Sequence, residues 1–177
     1  MTKAVSSLSA ADSPPLQAPR QAFESKIVAP DALAAALAQA PRPLVFTNGC
    51  FDILHRGHVT LLGQARALGA AMVVALNSDA SVNRLGKGDD RPVNTLADRL
   101  AVIAALECVS LVTWFDEDTP IERILECRPE VLVKGGDWPV EKIVGHREVA
   151  GWGGVTRSIP FIHQTSTTSL LDKIRRL

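Results

Sequence analysis

The sequence predicts an α/β fold built on an open, mainly parallel five-stranded sheet with helices on both faces. Three observations predict it. Short apolar runs alternate with segments of helical periodicity along most of the 177 residues. The run Ala71–Leu76 is almost continuously apolar, as a strand covered on both faces has to be. Polar segments follow most of these runs, and the carboxyl ends of parallel strands are where open α/β sheets bind ligands.

Residues 1–24 are expected to form a disordered N-terminal extension, because their Ser, Ala and Pro leave little to bury. Residues 25–177 are expected to form one domain. Pro30-Asp31-Ala32-Leu33 opens an alanine-rich helix to about Ala40, with Asp31 near its positive end and Pro41 and Pro43 stopping it. Pro43–Phe46 reads as the first strand and Thr47–Asp52 as a tight polar turn. A helix opens at Gly57, with Leu61, Leu62, Ala65 and Leu68 on one face. After the strand Ala71–Leu76 comes a long polar segment, Asn77–Val93. The helix Thr95–Leu106 carries Leu96, Leu100, Ile103 and Ala104 inward. Val109–Thr113, Val131–Val133 and Val155–Ile159 read as strands. Pro120–Cys127 reads as a helix with proline in its first turn, Val140–Val149 as a helix broken around Gly145, and Thr168–Arg176 as the last helix. The alternation amounts to a Rossmann-like arrangement.

Composition narrows the function. Lysine plus arginine and aspartate plus glutamate number 19 each, and no long basic block occurs, so nucleic acid is not an expected partner. The longest apolar run contains Gly69 and is too short to span a bilayer, so no membrane association is expected. Cys50, Cys108 and Cys127 are odd in number without C-x-x-C spacing, which favours a reducing cytoplasm over a disulfide framework.

The chemistry centres on Thr47-Asn48-Gly49-Cys50-Phe51-Asp52 followed by His55-Arg56-Gly57-His58. Two histidines three residues apart share one side of a first helical turn, whose free backbone N–H groups favour an anion. Gly49 and Gly57 would let a phosphate approach the main chain. Half of a zinc site is the competing reading, but no neighbouring cysteine or acidic cluster completes one, so no protein-bound metal is expected. Lys87, between Gly86 and Gly88, reads either as a solvated loop or as part of a lid closing over phosphates. Asp52 could address a ligand or order its own turn. Trp138 could cover a base or sugar, or simply pack. Ser166, Thr167 and Thr168 suit a helix N-cap and an anion site alike.

These motifs resemble those of the cytidylyltransferase-like nucleotidyltransferases, whose His-x-Gly-His motif binds nucleotide phosphates. The resemblance extends through Val74–Asp79, Asp90–Asn94 and Val133–Asp137, and in that order is similar to members that transfer AMP from ATP to a sugar 1-phosphate. It implies His55, His58 and Lys87 as catalytic groups. It implies Thr47, Asn48, Gly49, Cys50, Phe51, Gly57, Lys134, Gly135, Asp137, Ser166, Thr167 and Thr168 around ATP. It implies Asp52, Asn77, Asp79, Arg91 and Arg99 around the sugar phosphate. Mg2+ is implied as cofactor, held mainly by the ATP phosphates, and a homodimer is compatible with the resemblance. Gln164-Thr165 stands where relatives often carry an arginine. Cytidylyl transfer to a polyol or amino-alcohol phosphate is the alternative, and a non-catalytic nucleotide-binding module the further one.

Overall fold

The computed structural model describes residues 21–86, 88, 90–163 and 165–177. Lys87, Gln164 and residues 1–20 of the expected extension lie outside them. The strands are β1 (Leu44–Gly49), β2 (Ala71–Asn77), β3 (Leu111–Phe115), β4 (Val131–Gly135) and β5 (Val155–Ile159). All neighbours pair in parallel, in the order β3-β2-β1-β4-β5. The chain leaves β1 in one direction through β2 and β3, then returns to add β4 and β5 on the other side. That reversal opens a crevice at the carboxyl ends of β1 and β4.

The helices are α1 (Leu33–Leu37), α2 (Arg56–Arg66), α3 (Asp79–Arg84), α4 (Leu96–Ala104), α5 (Ile121–Cys127), α6 (His146–Gly151) and α7 (Thr167–Ile174). Alternate strand residues feed two cores. Val45, Met72, Val74 and Val112 pack with Leu61 and Leu62 of α2 and Leu100 and Ile103 of α4. Leu44, Phe46, Val73 and Leu132 pack with Leu33 and Leu37 of α1, Ile124 of α5 and Val149 of α6. Every residue of β2 is buried, which is why its sequence does not alternate.

Several elements differ from expectation. β1 runs on through Thr47, Asn48 and Gly49, which pair with Val74, Ala75 and Leu76. These residues are therefore strand and not turn. β3 likewise includes Trp114 and Phe115, and β4 includes Lys134 and Gly135. The segment after β2 is not one loop: Ser78 accepts a hydrogen bond from the Ser81 N–H and caps α3. Leu68 falls just beyond α2 and is exposed. The break at Gly145 is as expected. Its φ of 87° suits glycine, and a Cβ there would lie 2.8 Å from Ile124 Cδ1.

The expected boundary at residue 24 falls inside a 3-10 turn, Ala22–Lys26. Phe23 and Ile27 pack on the α4 side of the core. The Val28 N–H donates to Val112 O at 2.8 Å, and Lys26 Nζ to Leu106 O at 3.0 Å. This segment covers the outer edge of β3, which would otherwise offer unpaired backbone to another chain. A chain beginning at Ala29 is expected to lose about 2–4 kcal/mol of stability, the scale of uncovering two large apolar side chains. A chain beginning at Gln21 is expected to match the 177-residue chain. Urea midpoints of the three forms check this; equal midpoints would show the segment to be passive.

Candidate active site

α2 starts from an extended residue, His55 (φ −140°, ψ 169°), which supplies no side-chain cap. The His58 and Val59 N–H groups instead bond the His55 carbonyl at 2.9 and 3.3 Å. The spacing stacks the two imidazoles, with ring centroids 3.8 Å apart and planes 22° apart. Phe51 meets His58 edge-on, centroid to centroid 5.2 Å. Phe51 carries a positive φ of 46°, a conformation costly for a bulky side chain. Burial holds the His55 pKa below its ordinary value. The ring is therefore neutral at pH 7, and its buried Nδ1 has no hydrogen-bond partner among the described residues. Stacking and burial together disfavour charge on His55 until an anion arrives to balance it.

A hollow of about 450 Å3 lies over this pair. Cys50, Phe51, Asp52, His55 and His58 line it from the β1–α2 segment, Thr165–Thr168 from the start of α7, and Arg91 and Phe161 from elsewhere in the chain. Ser166 and Ser169 cap α7 reciprocally, each N–H donating to the other's Oγ at 3.1 Å. Two helix amino ends thus converge on one space, each favouring negative charge. Gly57 has a packing use beside the expected one. A Cβ there would lie 2.9 Å from the His163 carbonyl oxygen, so the missing side chain lets the start of α2 close against the chain leading into α7.

The five residues expected around a sugar phosphate are mostly engaged by the protein itself. Asp52 is buried and accepts from Arg91 Nε at 2.5 Å and from the Val93 and Asn94 N–H groups at 2.9 Å. Arg99 is 1% exposed; it donates to Cys50 O at 2.7 Å, Asn94 O at 3.1 Å and Asp79 Oδ1 at 2.7 Å. Asp79 also accepts from the Leu96 N–H. Asn77 donates to Ser81 Oγ at 3.0 Å and accepts from Cys50 Sγ at 3.8 Å. Arg99 is thus a brace joining the β1–α2 turn, α3 and the start of α4, where the resemblance implied a phosphate ligand. Of the five, Asp52 and Arg91 border the hollow.

A second hollow, of about 420 Å3, opens on the other side of the β1 terminus. Asn48, Gly49, Cys50 and Asn77 form its floor, with Lys134, Trp138 and Lys142 from the β4 side and Asp118 and Thr119 from the loop after β3. The residues expected around ATP are therefore divided. Cys50 borders both hollows, Lys134 borders only the second, and Asp137 is exposed and borders neither. Trp138, at 52% exposure, is not a packed indole. Sequence reasoning missed Phe161 and Lys142, which stand in no motif. Among the described residues no group of three or more His, Cys, Asp or Glu is placed to hold a metal ion, and none of their helices is long and apolar enough to cross a membrane.

Parallel strands in this order, with a histidine pair at the first helix start and a hydroxyl-rich cap lining the same hollow, define a nucleotidyltransferase. The chain belongs to the cytidylyltransferase-like family, whose model matches residues 46–170. It is 58% identical over 156 residues to the D-beta-D-heptose 1-phosphate adenylyltransferase of Bordetella bronchiseptica, covering 87% of this chain and 96% of that protein. It is 56% identical over 134 residues to the Bifunctional protein HldE of Hahella chejuensis, covering 75% of this chain and 28% of that longer protein. Among solved structures, the lipopolysaccharide core biosynthesis protein of Thermoplasma volcanium superposes with a TM-score of 0.57 at 24% identity, covering 69% of this chain and 98% of that one. That likeness shows the fold.

Proposed function

We propose that this chain is an adenylyltransferase that moves AMP from ATP to a heptose 1-phosphate, giving ADP-heptose and pyrophosphate for lipopolysaccharide core synthesis. The observation that carries the reading is the stacked His55/His58 pair lining one hollow together with the capped start of α7. The 58% identity to a heptose 1-phosphate adenylyltransferase over nearly that protein's whole length supports the choice of substrates.

The triphosphate lies between the two helix amino ends. His55 and His58 donate hydrogen bonds to the α-phosphoryl group as negative charge builds on it, and Arg91, aligned by Asp52, faces the same space. Lys87 is assigned as a further phosphate clamp. An oxygen of the sugar phosphate forms a bond to the α-phosphorus while the bond to the β-phosphate oxygen breaks, and pyrophosphate leaves with that electron pair. A phosphate monoester dianion is already nucleophilic near neutral pH, so positioning and electrostatics suffice without a strong base. Asp52, the carboxylate bordering the hollow, has both oxygens engaged, which fits Mg2+ held by phosphates and water and not by a protein cage. When bound, the ion neutralises charge on the leaving pyrophosphate. A cytoplasmic location is supported by three free cysteines and by the need for ATP.

The test is pyrophosphate release, with ATP and CTP each offered against a panel of sugar 1-phosphates and polyol phosphates. Release is expected with ATP and a heptose 1-phosphate. Preference for CTP and a polyol phosphate would overturn the assignment. Tight ATP binding with no release from any pair would favour a non-catalytic module.

A further inference from the structure

We propose that the second hollow receives the sugar 1-phosphate, with Trp138 as the platform for its ring and Lys142 as an anchor for its phosphate. The inference rests on the adenylyl-transfer reading but moves the acceptor away from Asp52, Asp79, Arg91 and Arg99; of the residues that reading's motifs suggest, it keeps Asn77, on the hollow's floor. Arg99 is buried with Cys50, Asn94 and Asp79, and Asp52 with Arg91, Val93 and Asn94. A ligand displacing them would leave buried polar groups unpaired. In the second hollow the ligand is held by Trp138 and Lys142, and Asn77 on the floor keeps its bond to Ser81.

The indole is exposed, yet it is held from several directions. Its Nε1 donates to Gly135 O at 3.2 Å, and the Trp138 N–H donates to Ser158 Oγ at 3.0 Å. Ser158 Oγ in turn donates to Gly136 O, fixing the turn against β5. Gly136 has φ of 110°, and a Cβ there would stand 3.0 Å from the indole Nε1. Only glycine at 136 lets the ring sit where it does. An exposed aromatic fixed in one orientation at the rim of a cavity presents a face to a ligand. The face of an indole is electron-rich. The C–H-bearing side of a sugar ring is apolar and weakly positive, so the two surfaces match. Lys134 and Lys142 bring positive charge to the same cavity, and Thr119 brings a hydroxyl suited to a sugar hydroxyl, while Asp118 at the rim is paired with Arg84 at 2.8 Å. Cys50 borders both hollows, so a sugar phosphate here and a triphosphate over the histidines meet at the carboxyl end of β1. That is the encounter an in-line transfer needs.

Two readouts test this on the full chain. Titration with a heptose 1-phosphate alone is expected to change tryptophan emission in the wild type and not in Trp138→Phe, while ATP alone leaves the Trp138 contribution unchanged. In steady state, Trp138→Ala is expected to raise KM for the sugar phosphate about tenfold, the scale of one aromatic contact, with KM for ATP within about twofold. Trp138→Phe should recover most of that loss. Lys142→Gln, at an exposed position, should also raise the sugar-phosphate KM, and by less at high salt. If Trp138→Ala raises KM for ATP instead, the second hollow holds the adenosine and the proposal fails. If both constants shift equally, Trp138 is structural and it also fails. Absence of any pyrophosphate release from the wild type, with the emission change still present, would instead fault the adenylyl-transfer reading.

Discussion

His58→Ala is expected to lower kcat for pyrophosphate release by about 10²–10³, the usual loss when one preorganised donor to developing transition-state charge is removed. The expectation follows from where the ring is held. His58 is pinned between the His55 ring, 3.8 Å away, and the edge of Phe51 at 5.2 Å, so its orientation is set before substrate arrives. A donor that needs no reorganisation acts mainly on the transition state, so kcat and kcat/KM should fall together while KM for ATP moves little. The fold should tolerate the change. His58 is only partly buried and lies on the first turn of α2, whose inward contacts come from Leu61, Leu62 and Ala65. Urea unfolding should place the variant within about 1 kcal/mol of the wild type, as for a surface-proximal substitution. A variant that turns over normally would remove the histidines from the chemistry. One that binds ATP tenfold more weakly at unchanged kcat would make them ground-state anchors.

The strands were legible because a parallel sheet covered on both faces announces itself as continuous apolar sequence, as in Ala71–Leu76. Their ends were not legible, for a reason specific to the backbone. Lys134 and Gly135 continue β4 because their main chain pairs with Ser158 and Ile159, and a ladder hydrogen bond does not depend on side-chain polarity. α3 was hidden because six residues behind a serine cap are too few to show a period. The histidine pair was legible since spacing of three on a helix is local geometry. The charged residues around it were not. A phosphate-binding arginine and a buried brace have the same sequence appearance, and only tertiary contacts separate them. Arg99 did carry one signal: it falls at i+3 from Leu96 and beside Leu100, on the face that Ile103 also buries. Read as packing and not as chemistry, that periodicity places the guanidinium inward. Nothing local reports the positive φ of Phe51 or the exposed setting of Trp138, which depend on contacts made far along the chain.

Asp52→Ala is expected to destabilise the protein by about 3–5 kcal/mol at pH 7, the scale of breaking a buried ion pair by removing one partner. The deletion leaves the Arg91 guanidinium, 6% exposed, without its counter-charge, and it orphans the Val93 and Asn94 N–H groups. Asp52→Asn should fall between, since an amide oxygen can accept from one N–H but cannot balance Arg91. The pH dependence identifies the carboxylate as the cause. Burial by itself would raise the Asp52 pKa, but hydrogen bonds from the Asn94 and Val93 N–H groups and from Arg91 outweigh it and hold the pKa below 3.8, the ordinary aspartate value. A carboxyl group with a depressed folded-state pKa contributes stability that is complete above its unfolded value and disappears as pH falls through the folded one. The gap between wild type and Asp52→Ala should therefore be constant from pH 7 down to about 5 and narrow below 3.8. Unfolding midpoints across that range measure it. A variant as stable as the wild type at pH 7 would show that the fold does not need this carboxylate. Asp52 would then be available to a ligand, as the family resemblance implies.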